Sequence, residues 1–357
     1  MAVLNDEQTM LRDMAREWVR NESPVTEWRK VRDANTAEGF DAGVYTEMAQ
    51  MGWAGIVIPE AQGGSDFGWL SLGLVLEELG RTLTASPLSA SAVAASAIVL
   101  GGSDAQKAAW LPKVAAGELI ATFALDEGAR HDPDAIRTNV AGDKLSGTKA
   151  FVAEGDSAGL FVVAATDGLY LVDGNQAGIK RTRRQLTDFR SHADVAFDAV
   201  VADKLADGGA NLLDQVLDRA RVVAAAEMLG MAQQAFETTL DYLKQRRQFD
   251  QVLSTFQALQ HRMATLYSDI ELMRTMVEAG LAALDGGGDT RQAAILAKAK
   301  ANEVGHAMSR EMVQLHGGIG MTDEYDAGFY LKRMRVLEAV WGNTAYLRDR
   351  FATLNGY

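Results

Sequence analysis

Arg246 closes a long helical pattern in the stretch RRQFDQVLSTFQALQH, three residues before Phe249. A guanidinium at a helix end beside an aromatic ring is suited to clamp a pyrophosphate with two parallel N–H bonds, and a solvated helix end is the plainer reading of the same residues. In QLHGGIGMTDEY, Gly317, Gly318 and Gly320 follow a second long helical pattern. Adjacent glycines let backbone approach a ligand and leave amides free for phosphate or ribose oxygens, although glycine is also the ordinary stop of a helix. No strand precedes them, so they do not form a dinucleotide fingerprint. Glu227, in VVAAAEMLGMA, is a carboxylate inside an apolar helical stretch. It reads either as a base with a raised pKa or as a buried, partnered structural acid. The basic cluster Lys180, Arg181, Arg183 and Arg184 would meet a phosphorylated ligand tail or simply keep a strand face wet. His131, His192, His261, His306 and His316 lack metal-ligand spacing, and most read as surface or capping residues. The stretch EAVWGNT, residues 338–344, stands where such a pattern should supply an acid or base, and it offers only Glu338.

These residues need elements to position them. Residues 1–120 carry apolar residues at spacings of three and four, as in TMLRDMAREWVR and WLSLGLVLEELGRTL, which predicts helices with glycine-marked breaks. From 121 to 208 the texture changes to short β-branched or aromatic runs, among them IATFAL, KLSGTKAFVA, GLFVVAAT and ADVAFDAVVA, which predicts an antiparallel β domain of sheet or barrel type. From 209 to 357 the helical period returns in three long segments and a last helix spanning about 327–353.

The bulk properties narrow the function. The chain has 357 residues, 48% of them hydrophobic, enough for two or three packed units. A net charge of −13 argues against nucleic acid as a main ligand, so an anionic ligand must meet local positive charge. Cysteine is absent, which excludes disulfides, thiolate metal sites and a cysteine nucleophile. The N-terminus alternates apolar and charged residues, unlike a signal peptide, and no run is long enough to span a bilayer. A cytoplasmic protein is expected.

Taken in order, IPEAQGGSDFG, EELGR at 77–81, GGSDAQKAAWLPKVAAGE at 101–118, the β segment with GTKAFV, RRQFD with FQALQH, and QLHGGIGMTDEY resemble the acyl-CoA dehydrogenase family over essentially the whole chain. The resemblance implies an α+β, mainly α fold: an N-terminal helical domain (1–120), a middle antiparallel β domain (121–208) and a C-terminal four-helix domain (209–357), assembled as an oligomer. It implies FAD bound between subunits, oxidation of an acyl-CoA to the 2,3-enoyl-CoA, and electrons leaving through an electron-transfer flavoprotein. Arg246 and Phe249 match the family's R-x-x-F pair on the pyrophosphate and adenine side of FAD, followed by Gln257. Gln314, Gly317 and Gly318 match the Q-x-x-G-G segment that holds the adenosine half of a neighbour's FAD.

At the flavin-ring end the pattern departs. Asp126 opens DEGARHD where the family has EPGAGSD, Phe151 replaces a tryptophan that packs on the flavin, and Ala153 replaces a hydroxyl. Counted without gaps, Trp341 occupies the place of the usual catalytic glutamate, with Gly342 and Asn343 following, and Ala220 occupies the alternative place; Asn343, Phe151 and Asp126 remain the cofactor-binding candidates that the resemblance implies at this end. These departures resemble the small, β-type subunits of heteromeric acyl-CoA dehydrogenases. Two readings follow: a dehydrogenase with a relocated base, for which Glu227 and Glu338 are the candidates, or a subunit that completes a catalytic partner's FAD site. A different flavin reaction on the same fold is a third.

Overall fold

The computed structural model describes residues 4–206, 209, 211–286 and 288–357. The chain divides into two compact units, one of Met1–Thr26, Gly73–Thr84 and Arg221–Tyr357, the other of Glu27–Leu72 and Ala85–Ala220. Eleven α-helices occur among the described residues: α1 (Asp6–Asn21), α2 (Val25–Ala34), α3 (Ala42–Gln50), α4 (Gly68–Arg81), α5 (Leu88–Gly101), α6 (Asp104–Ala115), α7 (Leu212–Gln245), α8 (Gln257–Leu284), α9 (Thr290–His316), α10 (Ala327–Ala339) and α11 (Thr344–Leu354). The mainly helical class with a middle β region is the one the periodicity predicts.

In the first unit α9 is the shared element, with α8, α10 and α11 all packing on it. The EELGR motif belongs to this unit, and its residues are structural. Glu77 takes Arg274 at 2.8 Å, Glu78 takes Arg16 at 2.8 Å, and Arg81 pairs with Glu237. Gly80 makes the contact possible. A Cβ there would lie 2.2 Å from the Glu227 carbonyl oxygen, and one at Gly230 would lie 1.7 Å from that of Glu77, so α4 and α7 cross backbone to backbone. The segment at 327–353 differs from the single helix expected. It breaks at residues 340–343, because Trp341 and Gly342 adopt φ of +59° and +112°, and Asn343 then caps α11 by accepting the Tyr346 amide at 2.9 Å.

The second unit holds α2, α3, α5, α6 and two four-stranded sheets. The strands are β1 (Ala121–Ala124), β2 (Asn139–Ala141), β3 (Lys144–Ala153), β4 (Leu160–Ala165), β5 (Gly168–Asp173), β6 (Ile179–Arg183), β7 (His192–Val201) and β8 (Asp203–Lys204). One sheet runs β1-β4-β5-β8 and the other β2-β3-β7-β6. Inward residues of both, including Leu145, Phe161, Val163, Val172, Val195 and Phe197, share one apolar core. All pairs in the two sheets are antiparallel except β1 with β4. That exception arises because the chain passes through β2 and β3 of the other sheet before β4 returns beside β1, a crossover long enough for parallel pairing. The basic cluster lies largely on the edge strand β6, where lysine and arginine discourage pairing with another chain.

Candidate functional site

Beyond α7 the chain makes a two-residue hairpin, β9 (Arg247–Gln248) with β10 (Gln251–Val252). Its central residues, Phe249 and Asp250, have φ of +53° and +59°, the conformation of the tight hairpin turn that usually selects asparagine and glycine. A phenylalanine held there is strained, and its ring is 83% exposed. Beside it Arg246 is exposed, and its guanidinium makes no hydrogen bond or ion pair with any described residue. Gln257 opens α8 and is also exposed.

The end of α9 is brought to the same place. His316, 3% exposed, stacks on Tyr242 of α7 at 4.3 Å between ring centroids and on Tyr325 at 4.6 Å, and the Tyr242 hydroxyl donates to the His316 carbonyl at 3.3 Å. Its Nδ1 faces the Met312 carbonyl at 2.7 Å and must donate to it, so Nε2 accepts from the Tyr325 hydroxyl at 3.0 Å. Burial pushes this imidazole below its ordinary pKa against the pull of the Met312 carbonyl. Gln314 before it and Gly317 and Gly318 after it lie on the surface. Gly317 has φ of +64°, which explains a glycine there, whereas a Cβ on Gly318 would meet nothing within 4 Å. The fold therefore does not require glycine at 318, and the space above it is open.

The turn at 340–343 is held from beneath by buried polar groups. Arg221, 2% exposed, donates from Nε to the Trp341 carbonyl at 3.2 Å. Asn302 donates to the Gly342 carbonyl at 3.1 Å. Lys298, fully buried, donates to Asn302 Oδ1 at 2.5 Å and to the Leu337 carbonyl at 2.8 Å. Burial pushes Lys298 down to about 7, with Glu338 pulling it up and Arg221 pushing it further down. The two candidate carboxylates are engaged. Arg333 grips Glu227 with two bonds of 2.8 and 3.0 Å, the partnered arrangement foreseen as one reading, and Glu338 Oε2 meets Arg335 at 2.8 Å and His306 at 3.2 Å. Ala220 is completely buried. Neither Lys298 nor Asn302 stands out in the sequence, since AKAKANEV reads as an ordinary helix face.

In the β-containing unit the register of β3 on β7 slips between Lys149 and Val152, and this bulge carries Phe151 at φ +52° with its ring 42% exposed. Its amide donates to Asp194. Lys149 is fully buried and donates to the Leu125 carbonyl and to Glu127 at 2.9 and 2.8 Å. The carboxylate of Asp126 meets His131 Nδ1 at 3.1 Å and accepts the Asp132 amide at 3.2 Å. The loop 125–132 is thus a built structure. The basic cluster is spent mostly on structure: Arg181 caps the carbonyls of Asp156, Ala158 and Gly174, Arg183 takes Asn35, and Arg184 takes Asp194. A cleft of about 630 Å³ opens in this unit, lined by Asp134, Ile136, Asp167, Leu169, Lys204 and Leu212 among others. No group of three or more histidine, aspartate or glutamate side chains placed to hold a metal occurs among the described residues, and no described helix is long and apolar enough to cross a membrane.

Comparison with known proteins agrees across the chain. Residues 5–118 match the family model described as acyl-CoA dehydrogenase, N-terminal domain, and residues 207–353 match acyl-CoA dehydrogenase, C-terminal domain. The acyl-CoA dehydrogenase IpdE2 of Mycobacterium tuberculosis is 30% identical, over 92% of this chain and 91% of that one. The short/branched chain specific acyl-CoA dehydrogenase of Bos taurus is 27% identical, over 94% of this chain and 82% of that one. Among solved structures, the Tcur3481-Tcur3483 steroid ACAD superposes with a TM-score of 0.91 at 34% identity, covering 98% of each chain.

Proposed function

The chain belongs to the acyl-CoA dehydrogenase family, and we propose that it works as the base-lacking subunit of an assembly that dehydrogenates an acyl-CoA thioester with FAD. What carries the reading is an asymmetry. The residues that would hold the adenosine half of FAD stand open on the surface, with the Arg246 guanidinium unpartnered among the described residues and Gly318 leaving space, while both base positions hold side chains that take no proton from carbon, Trp341 and Ala220. The two candidate replacements do not fill the gap, since Arg333 holds Glu227, and Arg335 and His306 hold Glu338. Loss of a general base commonly costs a factor of about 10² to 10⁴.

Bound FAD supplies the hydride acceptor. In this chain Arg246 would bind the pyrophosphate bidentately, Phe249 and Gln257 would flank the adenine side, and the amides at Gly317 and Gly318 would meet ribose or phosphate oxygens. Phe151 would present an aromatic face to the ring system and Asp126 would brace its loop, while Asn343 is occupied in capping α11. The cleft beside Lys204 has the size of a small-ligand site and is a candidate hold for the thioester's polar tail. The α proton would go to a carboxylate of a partner subunit, and the similar steroid ACAD is itself described as a pair. The division at 1–120, 121–208 and 209–357, an electron-transfer flavoprotein as electron acceptor and a cytoplasmic location belong to the same proposal.

The test is optical. The purified chain is incubated with FAD, and its visible spectrum is recorded before and after addition of short, branched and steroid-type acyl-CoAs. The chain alone should leave the flavin oxidised with all of them. Arg246→Ala should weaken FAD binding at least tenfold. Bleaching by any acyl-CoA without a second subunit would overturn the partner dependence, and unchanged FAD affinity in Arg246→Ala would overturn the assigned FAD site.

A further inference from the structure

Lys298 has a mismatch in its hydrogen-bond count. Its two acceptors, Asn302 Oδ1 and the Leu337 carbonyl, suit a neutral amine with two N–H groups. An ammonium has a third N–H, and no described residue accepts it. One residue beyond Leu337, Glu338 has the opposite mismatch. Its Oε2 is taken by Arg335 and His306, and its Oε1 is buried with no hydrogen-bond partner. A donor lacking an acceptor in one protonation state is therefore bonded to the residue next to an acceptor lacking a donor, and the Glu338 charge acts on the amine. An orphan of either kind, buried, is costly.

We propose that Lys298 and Glu338 form a proton-switched pair beneath the 340–343 turn, in which proton uptake by the amine recruits the free carboxylate oxygen and shifts residue 341. The route is short. Glu338 sits in the last turn of α10, which ends at Ala339, and Lys298 also acts on the far side of the turn through Asn302, whose amide holds the Gly342 carbonyl. Trp341, already at φ +59°, is tied at its carbonyl to α7 through Arg221. A change in Glu338 therefore reaches the strained residue directly.

Lys298 stands among charges of both signs. Arg221 from α7 is permanently charged, and Glu338 from α10 is the carboxylate that acts on the amine. On α8 Asp269 is taken by Lys300, and on α11 Arg348 is taken by Glu303. His306 of α9 and Arg335 of α10 touch Glu338. Arg310 bonds His306 in turn. The ordinary value of Lys298 is displaced into the neutral range by burial, which places the switch within reach of physiological pH. The switch belongs to the helical unit and operates with or without flavin.

The experiment follows two signals from about pH 5.5 to 9 in the intact chain: the ε-methylene NMR resonances of lysine, and the tryptophan emission lost in Trp341→Phe. One lysine resonance should titrate with a midpoint near 7 and be missing in Lys298→Met, and the Trp341 emission should change with the same midpoint. Glu338→Gln removes an attractive charge and should lower that midpoint by about one pH unit, a tenfold change in proton affinity. His306→Gln should leave it in place. A Trp341 emission that stays flat while Lys298 titrates, or a midpoint indifferent to Glu338→Gln, overturns the proposal. A midpoint that moves with His306→Gln and not with Glu338→Gln assigns the switch to the histidine and also overturns it. If Lys298→Met does not fold, the two surface-side variants decide alone.

Discussion

Glu127 shows how one residue can hold a loop. Burial would raise its pKa, yet the Lys149 ammonium and the hydroxyl and amide of Thr138 outweigh that and hold the carboxyl at about 2. The ion is therefore favoured in the folded state, so its contribution is complete above the ordinary value of 4.5 and is lost as pH falls through about 2. Lys149→Met strands that carboxylate, and breaking a buried pair from one side typically costs about 3 to 5 kcal/mol. Urea unfolding at neutral pH should show a loss of that order for Lys149→Met. The double variant with Glu127→Gln should recover much of it, because the uncompensated charge is then gone. A single-variant loss under about 1 kcal/mol would mean that the pair does not brace the 125–132 loop.

At the scale of elements, a glycine inside α7 and one in the short turn after α9 make opposite demands. Gly230 has no room: α4 and α7 touch there through backbone, so Gly230→Ala must push them apart, and overpacking of this kind costs about 1 to 3 kcal/mol. Gly318 has room and lacks a left-handed φ, so Gly318→Ala should leave thermal stability unchanged or slightly raised while FAD affinity falls. Equal damage from both substitutions would show that Gly318 serves the fold. The same contrast explains what could be read from the chain. Helices and strands follow from periodicity, and the stop and restart at Gly342-Asn343 is a cap signal present in the sequence, although the long helical pattern around it hides the break. Arg246 and Phe249 are candidates that the sequence alone offers, through their types and spacing. The Tyr242–His316–Tyr325 stack and the bonds of Lys298 and Asn302 to the 337 and 342 carbonyls are not, because they join residues of separate elements, and only packing shows that those side chains face inward.

For the whole molecule, the question is what covers the helical unit. Phe249 and Met321 are each 83% exposed, Tyr267 and Leu272 each 53%, and Ile319 41%, all between residues 249 and 321 of that unit. Single exposed apolar side chains are ordinary, but several large ones on one helical unit, in a chain of net charge −13, suit a surface that another molecule would cover. If FAD is held between subunits, flavin retention and assembly must fail together. Leu272 is the position that separates the causes, since it lies on α8 away from every residue assigned to the cofactor. Leu272→Glu places a charge on the surface without touching Arg246, Gln314 or Gly318. Sedimentation velocity should then show a smaller species than the parent chain, and FAD retained through gel filtration should fall at least tenfold. Disassembly with FAD retained would place the whole cofactor site in one chain. An unchanged assembly would move the interface elsewhere and leave the exposed apolar residues to a different partner.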